Sequence, residues 1–158
     1  FDKQLNCSLI SSSKMDLDGH KLRHELVRWI YENDIPVSVI GRGYVPFEKK
    51  SDGLGPYRFS VVIENTQEKD YFTEKLLDCI LCDTLPIYWG SSNIDDYFDL
   101  DGMIICNSLE ALKNKLRCLP NSIQTSQIEA MKKNKAIALK LAQLNQRVVS
   151  LIKSSAAQ

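Results

Sequence analysis

Apolar and polar positions alternate along this chain in blocks that predict strands and helices in turn. Cys7-Ser8-Leu9-Ile10 is a short apolar run that predicts a strand, and Ser11 to Gly19 is a polar loop. Leu22, Leu26, Trp29 and Ile30 then recur at helical spacing, with Lys21, Glu25, Arg28 and Glu32 off that stripe. Asp16 or Asp18 is the expected cap of this helix, and Asn33-Asp34-Ile35-Pro36 its end. Val37 to Ile40 predicts a second strand, closed by Gly41-Arg42-Gly43. The loop from Tyr44 to Pro56 follows, carrying Pro46, Gly53, Gly55 and Pro56. Phe59 to Ile63 is β-branched and apolar, the pattern of a central strand.

Further on, Leu76, Leu77, Ile80 and Leu81 mark the apolar face of a short helix within Thr73–Cys82. Leu85 to Trp89 predicts another strand, with Pro86 near its start, where proline is tolerated. Met103 to Cys106 is a further apolar run after the turn at Asp99-Leu100-Asp101-Gly102. Leu109, Leu112 and Leu116 predict a helix ended by Pro120. From Ser122 the spacing of Ile128, Met131, Ile137, Leu141, Leu144, Val148, Leu151 and Ile152 predicts one long amphipathic helix, fraying from Ser154. Strands alternating with helices imply an α/β fold: a parallel, Rossmann-like sheet of about five strands with helices on both faces. The expected organisation is a domain over 1–120 and an amphipathic helix over 121–158 packing on it. The long stripe of that helix predicts an exposed apolar patch, or pairing with a second copy of the chain or with another domain.

Composition narrows the class. At 158 residues, 44% hydrophobic and 25% charged, the chain is long enough for one real core and too apolar for disorder. Lys and Arg balance Asp and Glu to a formal net charge of zero, which argues against a nucleic-acid partner. No apolar run reaches the length of a membrane span, and Phe1-Asp2-Lys3-Gln4 shows no signal peptide. Five cysteines, an odd number set mostly in apolar runs, read as reduced core residues of an intracellular protein.

The candidate chemistry gathers where the third strand ends and the next helix begins, at Glu64-Asn65-Thr66 and Thr73-Glu74-Lys75. A helix N-terminus offers free N–H groups and the positive end of its dipole, which attract phosphate. A cation such as Lys75 is awkward there, and an anionic ligand would remove the conflict. Lys75 suits a diphosphate, Glu74 a ribose diol, and Asn65 offers both a donor and an acceptor. A solvated helix start remains open on the residues alone. At Gly19-His20-Lys21-Leu22-Arg23-His24, Arg23 flanks the apolar stripe, and its planar fork suits a phosphate if it turns toward the sheet edge. On the residues alone a solvated basic face is favoured there.

Three other motifs carry less. Gly41-Arg42-Gly43 is followed by no helix and so is not a dinucleotide fingerprint. Cys79 and Cys82 lie in the last turns of their helix, where the dipole opposes a thiolate. His20 and His24 share a helical face without a third ligand, so no metal site is expected.

The run Tyr57-Arg58-Phe59-Ser60, Glu64-Asn65-Thr66, Tyr71-Phe72-Thr73-Glu74-Lys75 and Pro86-Ile87-Tyr88-Trp89-Gly90 closely resembles the donor-binding signature of the α1,3/4-fucosyltransferases, glycosyltransferase family 10. The resemblance covers roughly residues 5–118 and implies the C-terminal, donor-binding half of a two-domain GT-B glycosyltransferase. By that resemblance Asn65, Tyr71, Glu74 and Lys75 fall on the donor-contacting motif, and Arg23, within Arg23-His24-Glu25-Leu26-Val27, on the phosphate-contacting Arg. Ser8-Leu9-Ile10-Ser11 replaces the family's upstream Ser-Asn segment. The implied reaction is inverting transfer of fucose from GDP-fucose to a sugar hydroxyl. It uses no metal or other cofactor, with a general base supplied by an N-terminal acceptor domain absent from this chain. The implied partners are a nucleotide sugar, a glycan acceptor and that N-terminal domain. The compartment expected is the cytoplasm, including the membrane periphery, or the Golgi lumen for a eukaryotic parent. The alternatives are a stand-alone nucleotide-binding module without catalysis, and a transferase using another GDP-sugar such as GDP-mannose.

Overall fold

The computed structural model describes the backbone of residues 1–155 and the side chains of residues 1–143. Five strands form one parallel sheet: β1 (Leu5–Ile10), β2 (Val37–Ile40), β3 (Tyr57–Ile63), β4 (Leu85–Trp89) and β5 (Ile104–Ile105). Their order across the sheet is β2-β1-β3-β4-β5. Four helices connect or follow them: α1 (Asp18–Glu32), α2 (Glu74–Leu81), α3 (Leu109–Arg117) and α4 (Thr125–Ser155). The α/β sheet expected from the sequence is therefore the one formed, with β3 at its centre.

Alternation along the strands builds two apolar layers, because successive side chains leave a strand on opposite faces. Cys7 and Leu9 of β1, Phe59, Val61 and Ile63 of β3, and Leu85, Ile87 and Trp89 of β4 join Leu26, Trp29 and Ile30 of α1 and Leu112 and Leu116 of α3. The opposite face sets Val62 and Tyr88 against Leu76, Leu77 and Ile80 of α2 and Ala138 of α4. Burying a side chain such as Phe59 or Leu26, both 0% exposed, contributes roughly 1.5–3 kcal/mol. The guanidinium of Arg117 stacks on the Trp29 ring at 5.0 Å and closes the α1–α3 side.

Several boundaries differ from the sequence expectation. α1 starts with Leu17 in the cap position, so neither Asp16 nor Asp18 caps it. The Nδ1 atom of His20 accepts the Leu17 N–H at 3.3 Å and does the work expected of those carboxylates. The long helix begins at Thr125, three residues after Ser122, with the Gln124 N–H donating to Gln127 Oε1 at 3.1 Å. α4 packs on α2 and on the 100–102 turn, where Asn134, fully buried, receives the Asp99 N–H and donates to the Asp99 carbonyl, both at 2.8 Å. The apolar stripe beyond that contact, at Leu144, Val148, Leu151 and Ile152, lies outside the described side chains, as does the patch or pairing expected of it. Among the described residues no helix is long and apolar enough to cross a membrane.

The cysteines are free. Cys7, Cys79, Cys82 and Cys106 are buried as expected, but Cys118 is exposed at the end of α3. Burial pushes the thiols of Cys79 and Cys82 up, the reverse of what a redox pair needs.

Candidate functional site

The strand order reverses direction at β1: the chain leaves it for β2 on one side, while β3 pairs with it on the other. In open α/β sheets the crevice at the outgoing ends of such strands is where ligands bind. A cavity of about 200 Å³ lies at this point. Its floor is β1 and β3, with Ser60 among the lining residues. Ser60 is paired with Ser8 across the strands, the two hydroxyls 3.0 Å apart and both buried. On that floor the small side chain of Ser60 leaves more room above the sheet than a Val or Leu would.

Arg23 and Lys75 enter this cavity from opposite layers, Arg23 from α1 and Lys75 from α2. The start of α1 is held on the end of β3, because the Gly19 N–H donates to the Asn65 carbonyl at 2.9 Å. A Cβ at position 19 would overlap the Glu64 carbonyl oxygen, so only glycine permits that approach. One turn on, Arg23 is 6% exposed and donates through Nη2 to the Ile63 carbonyl at 2.5 Å. Burial lowers its affinity for the proton, while Glu64 pulls the other way. It stays a cation, since guanidinium holds its charge over the accessible pH range.

On the other side, Thr73 caps α2 and its hydroxyl accepts the Lys75 N–H at 3.3 Å. Lys75 Nζ lies 3.1 Å from Thr73 Oγ1 and 3.4 Å from Glu64 Oε2. The conflict of a cation at a helix N-terminus is thus met inside the chain, by a carboxylate that sequence reasoning left without a role. Glu64 is 0% exposed and also accepts the Thr73 N–H at 2.8 Å and the Thr73 hydroxyl at 2.7 Å. Room for it comes from Gly90, where a Cβ would lie 2.8 Å from Glu64 Cγ. Glu74 lines the cavity beside Lys50 and Asp78; Lys50 Nζ is 2.7 Å from Asp78 Oδ2 and 3.9 Å from Glu74 Oε1.

Of the five residues singled out from the sequence, the cavity thus gathers Arg23, Glu74 and Lys75. Asn65 and Tyr71 belong to the same outgoing edge but are not among its lining residues. Alternation past the end of β3 explains Asn65: Glu64 turns to the α2 side and Asn65 to the α1 side. There Asn65 lies near His20, and its Oδ1 is buried with no hydrogen-bond partner among the described residues. Burial and the Arg23 charge lower the His20 pKa from its ordinary value, with Asn65 and Asp16 opposing. His24 faces elsewhere, its Nε2 3.0 Å from the Lys14 carbonyl and its Nδ1 3.4 Å from the Tyr44 hydroxyl. Among the described residues no group of three His, Cys, Asp or Glu side chains is placed to hold a metal. The loop carrying Tyr71 is tied down at Asp70, which adopts φ 61°. The Asp70 carboxylate accepts from Asn93 Nδ2 at 2.7 Å and from the Tyr97 hydroxyl at 2.8 Å. Lys50, Leu54 and Asp78 were not foreseen as lining residues; the 44–56 loop that brings the first two has no periodicity to read.

The sequence profile described as "Glycosyltransferase family 10 (fucosyltransferase) C-term" matches residues 3–127. The Helicobacter pylori "Alpha-(1,3)-fucosyltransferase FucT" is 40% identical over 52 residues, 33% of this chain and 11% of that protein. A crystal structure of "alpha1,3-Fucosyltransferase with GDP" superposes with a TM-score of 0.64 at 23% identity, covering 84% of this chain and 39% of that one. Another, "alpha1,3-Fucosyltransferase with GDP-fucose", gives 0.63 at 22% identity, over 84% and 40%. At those identities the structures show a shared fold, and this chain spans about two-fifths of their length. The profile match extends over most of the sequence and contains every residue of the cavity, and on that ground the chain belongs to glycosyltransferase family 10, in its fucosyltransferase C-terminal region.

Proposed function

We propose that this chain is the donor-binding half of an inverting fucosyltransferase that moves fucose from GDP-fucose to a sugar hydroxyl. The observation that carries this is the pair Arg23 and Lys75, brought from opposite layers to one cavity at the β1–β3 crevice. Two converging cations at that place suit a diphosphate. Arg23 spends one N–H on the Ile63 carbonyl and keeps the rest of its five-donor fork for phosphate oxygens. Glu74, at the cavity wall, is assigned to the ribose diol. Asn65 and Tyr71 are assigned to the donor by their place in the family motif, and the unpartnered buried Oδ1 of Asn65 supports its share.

In the proposed reaction the bond from fucose C1 to the β-phosphate oxygen breaks, and the electron pair leaves with GDP. The acceptor oxygen bonds C1 from the opposite face, and its proton passes to a general base. Negative charge grows on the departing diphosphate. Arg23 and Lys75, held in place before the reaction, stabilise that charge without reorganising. The base is assigned to a part of the parent protein outside this chain, and the diphosphate is assigned to cationic side chains with no metal.

The test is transfer of labelled fucose to a panel of sugar acceptors by a parent protein containing this chain, with GDP-mannose as the rival donor. Turnover with GDP-fucose is expected from the parent, and GDP binding without appreciable turnover from the chain alone. Turnover with GDP-mannose instead would reassign the donor. GDP binding with no transfer by the parent would make the protein a nucleotide-binding module.

A further inference from the structure

We infer that Glu64 is a positioning residue for the donor diphosphate, acting through Lys75; this rests on the donor-binding function proposed above. Glu64 is not among the residues lining the cavity, so it has no surface to offer a ligand there. Yet it is fully buried at the end of β3, and its two oxygens divide the neighbouring donors. Oε1 takes the Thr73 N–H at 2.8 Å; Oε2 takes the Thr73 hydroxyl at 2.7 Å and faces Lys75 Nζ at 3.4 Å. Lys75 Nζ also bonds Thr73 Oγ1 at 3.1 Å. Carboxylate, hydroxyl and ammonium thus form a closed triangle whose only part lining the cavity is Lys75. A free lysine has four rotatable stem bonds and loses much entropy when a ligand fixes it. The triangle fixes it beforehand, so a phosphate meets an ammonium already in place.

Glu64 itself is hemmed in: its backbone N–H donates to the Trp89 carbonyl at 2.9 Å, its carbonyl lies under Gly19, and its side chain passes against Gly90. Gly19 and Gly90 come from two separate parts of the chain, and both admit Glu64 by carrying no side chain. Burying an ionised carboxylate is costly unless it is paired and hydrogen-bonded. A residue whose purpose was merely to fill this space would have no need of the charge.

Glu64→Gln removes the charge and one acceptor together. Its amide oxygen keeps the Thr73 N–H, while its NH₂ takes the place of Oε2 and offers no acceptor to the Lys75 ammonium or the Thr73 hydroxyl. The experiment is a double-mutant cycle on GDP affinity by calorimetry, using wild type, Glu64→Gln, Lys75→Met and the double variant. Urea unfolding of each runs in parallel. Glu64→Gln is expected to weaken GDP binding about three- to tenfold in wild type, and less than about twofold when Lys75 is already Met. An equal loss in both backgrounds would make Glu64 a structural support independent of Lys75 and overturn the inference. Unchanged or tighter GDP binding by Glu64→Gln would make it a plain counter-charge and overturn the inference as well. If Glu64→Gln does not fold, Thr73→Val opens the triangle from its other corner and is read in the same cycle. Wild type that binds no GDP would refute the donor site as a whole, whereas a Lys75 effect without a Glu64 effect refutes only the positioning role.

Discussion

The Glu64 carboxylate accepts two hydrogen bonds from Thr73, one from its backbone N–H at 2.8 Å and one from its hydroxyl at 2.7 Å. Thr73 is at the same time the cap of α2, so the end of β3 and the start of α2 share one polar joint. Thr73→Val keeps the shape but deletes the hydroxyl, removing a cap worth about 1 kcal/mol and leaving a buried carboxylate short of a donor, about 1–3 kcal/mol more. Urea unfolding should show a loss of about 2–4 kcal/mol for Thr73→Val, and Thr73→Ser should stay within about 1 kcal/mol of wild type. Equal losses for the two would mean that the methyl group, and not the hydroxyl, holds the joint.

Gly19 makes a prediction of a different kind. The atoms a Cβ would strike there are backbone, Glu64 O and C and Asn65 C, which cannot rotate away. Gly19→Ala should push α1 off the end of β3 and cost about 3 kcal/mol or more, as severe overpacking does. It should also weaken GDP binding, because Arg23 rides on the same turn. A Gly19→Ala protein with wild-type unfolding midpoint and wild-type GDP affinity would show that α1 is not registered in this way.

The pH dependence follows from His20. Its folded-state pKa is lowered by burial first and by the Arg23 charge second. The unfolded chain, with an ordinary value of about 6.5, takes up a proton that the folded chain refuses. Between the two values the unfolded state binds more protons, so stability rises with pH there and falls as the solution is acidified through about 6.5. Protonation would also take away the lone pair on which His20 Nδ1 accepts the Leu17 N–H. Comparing wild type with His20→Gln between pH 8 and pH 5, the wild type should lose stability more steeply below about pH 6.5. Parallel curves would show that His20 titrates alike in both states.

Much of the fold could be read from local pattern, since the features that decide it are local. Phe59–Ile63 and Leu85–Trp89 are short, largely apolar runs of the kind buried strands show, and the stripe Leu76, Leu77, Ile80 marks the short helix that starts after Thr73. The inward turn of Arg23 was legible as a cation flanking an apolar stripe, though only the resemblance to a family favoured it over a solvated face. The start of α1 was misread because Asp16 and Asp18 are both good caps by type, while the actual partner is the ring of His20 three residues past Leu17. Glu64 was out of reach for a deeper reason. Its burial needs Gly90 beside its side chain and Thr73 nine residues on, and neither neighbour leaves a periodic trace in the sequence. The same holds for Lys50 and Leu54, delivered to the cavity by a loop whose path is set by the sheet beneath it.

The proposed donor site depends on Lys75 and Arg23 binding a diphosphate at the β1–β3 crevice. Calorimetric titration of GDP into wild type, Arg23→Met, Lys75→Met and Lys113→Ala tests it most directly. Lys113 is the control, a lysine on α3 paired with Glu110 at 2.8 Å and absent from the cavity lining. Methionine keeps most of either stem and discards the charge, separating electrostatics from packing. Losing one charge-assisted contact to phosphate should cost about 1.5–3 kcal/mol, roughly a tenfold or greater fall in affinity for Arg23→Met and Lys75→Met. Lys113→Ala should match wild type. Equal GDP affinity in all four proteins, or no GDP binding by wild type, would show that Arg23 and Lys75 do not form a diphosphate site.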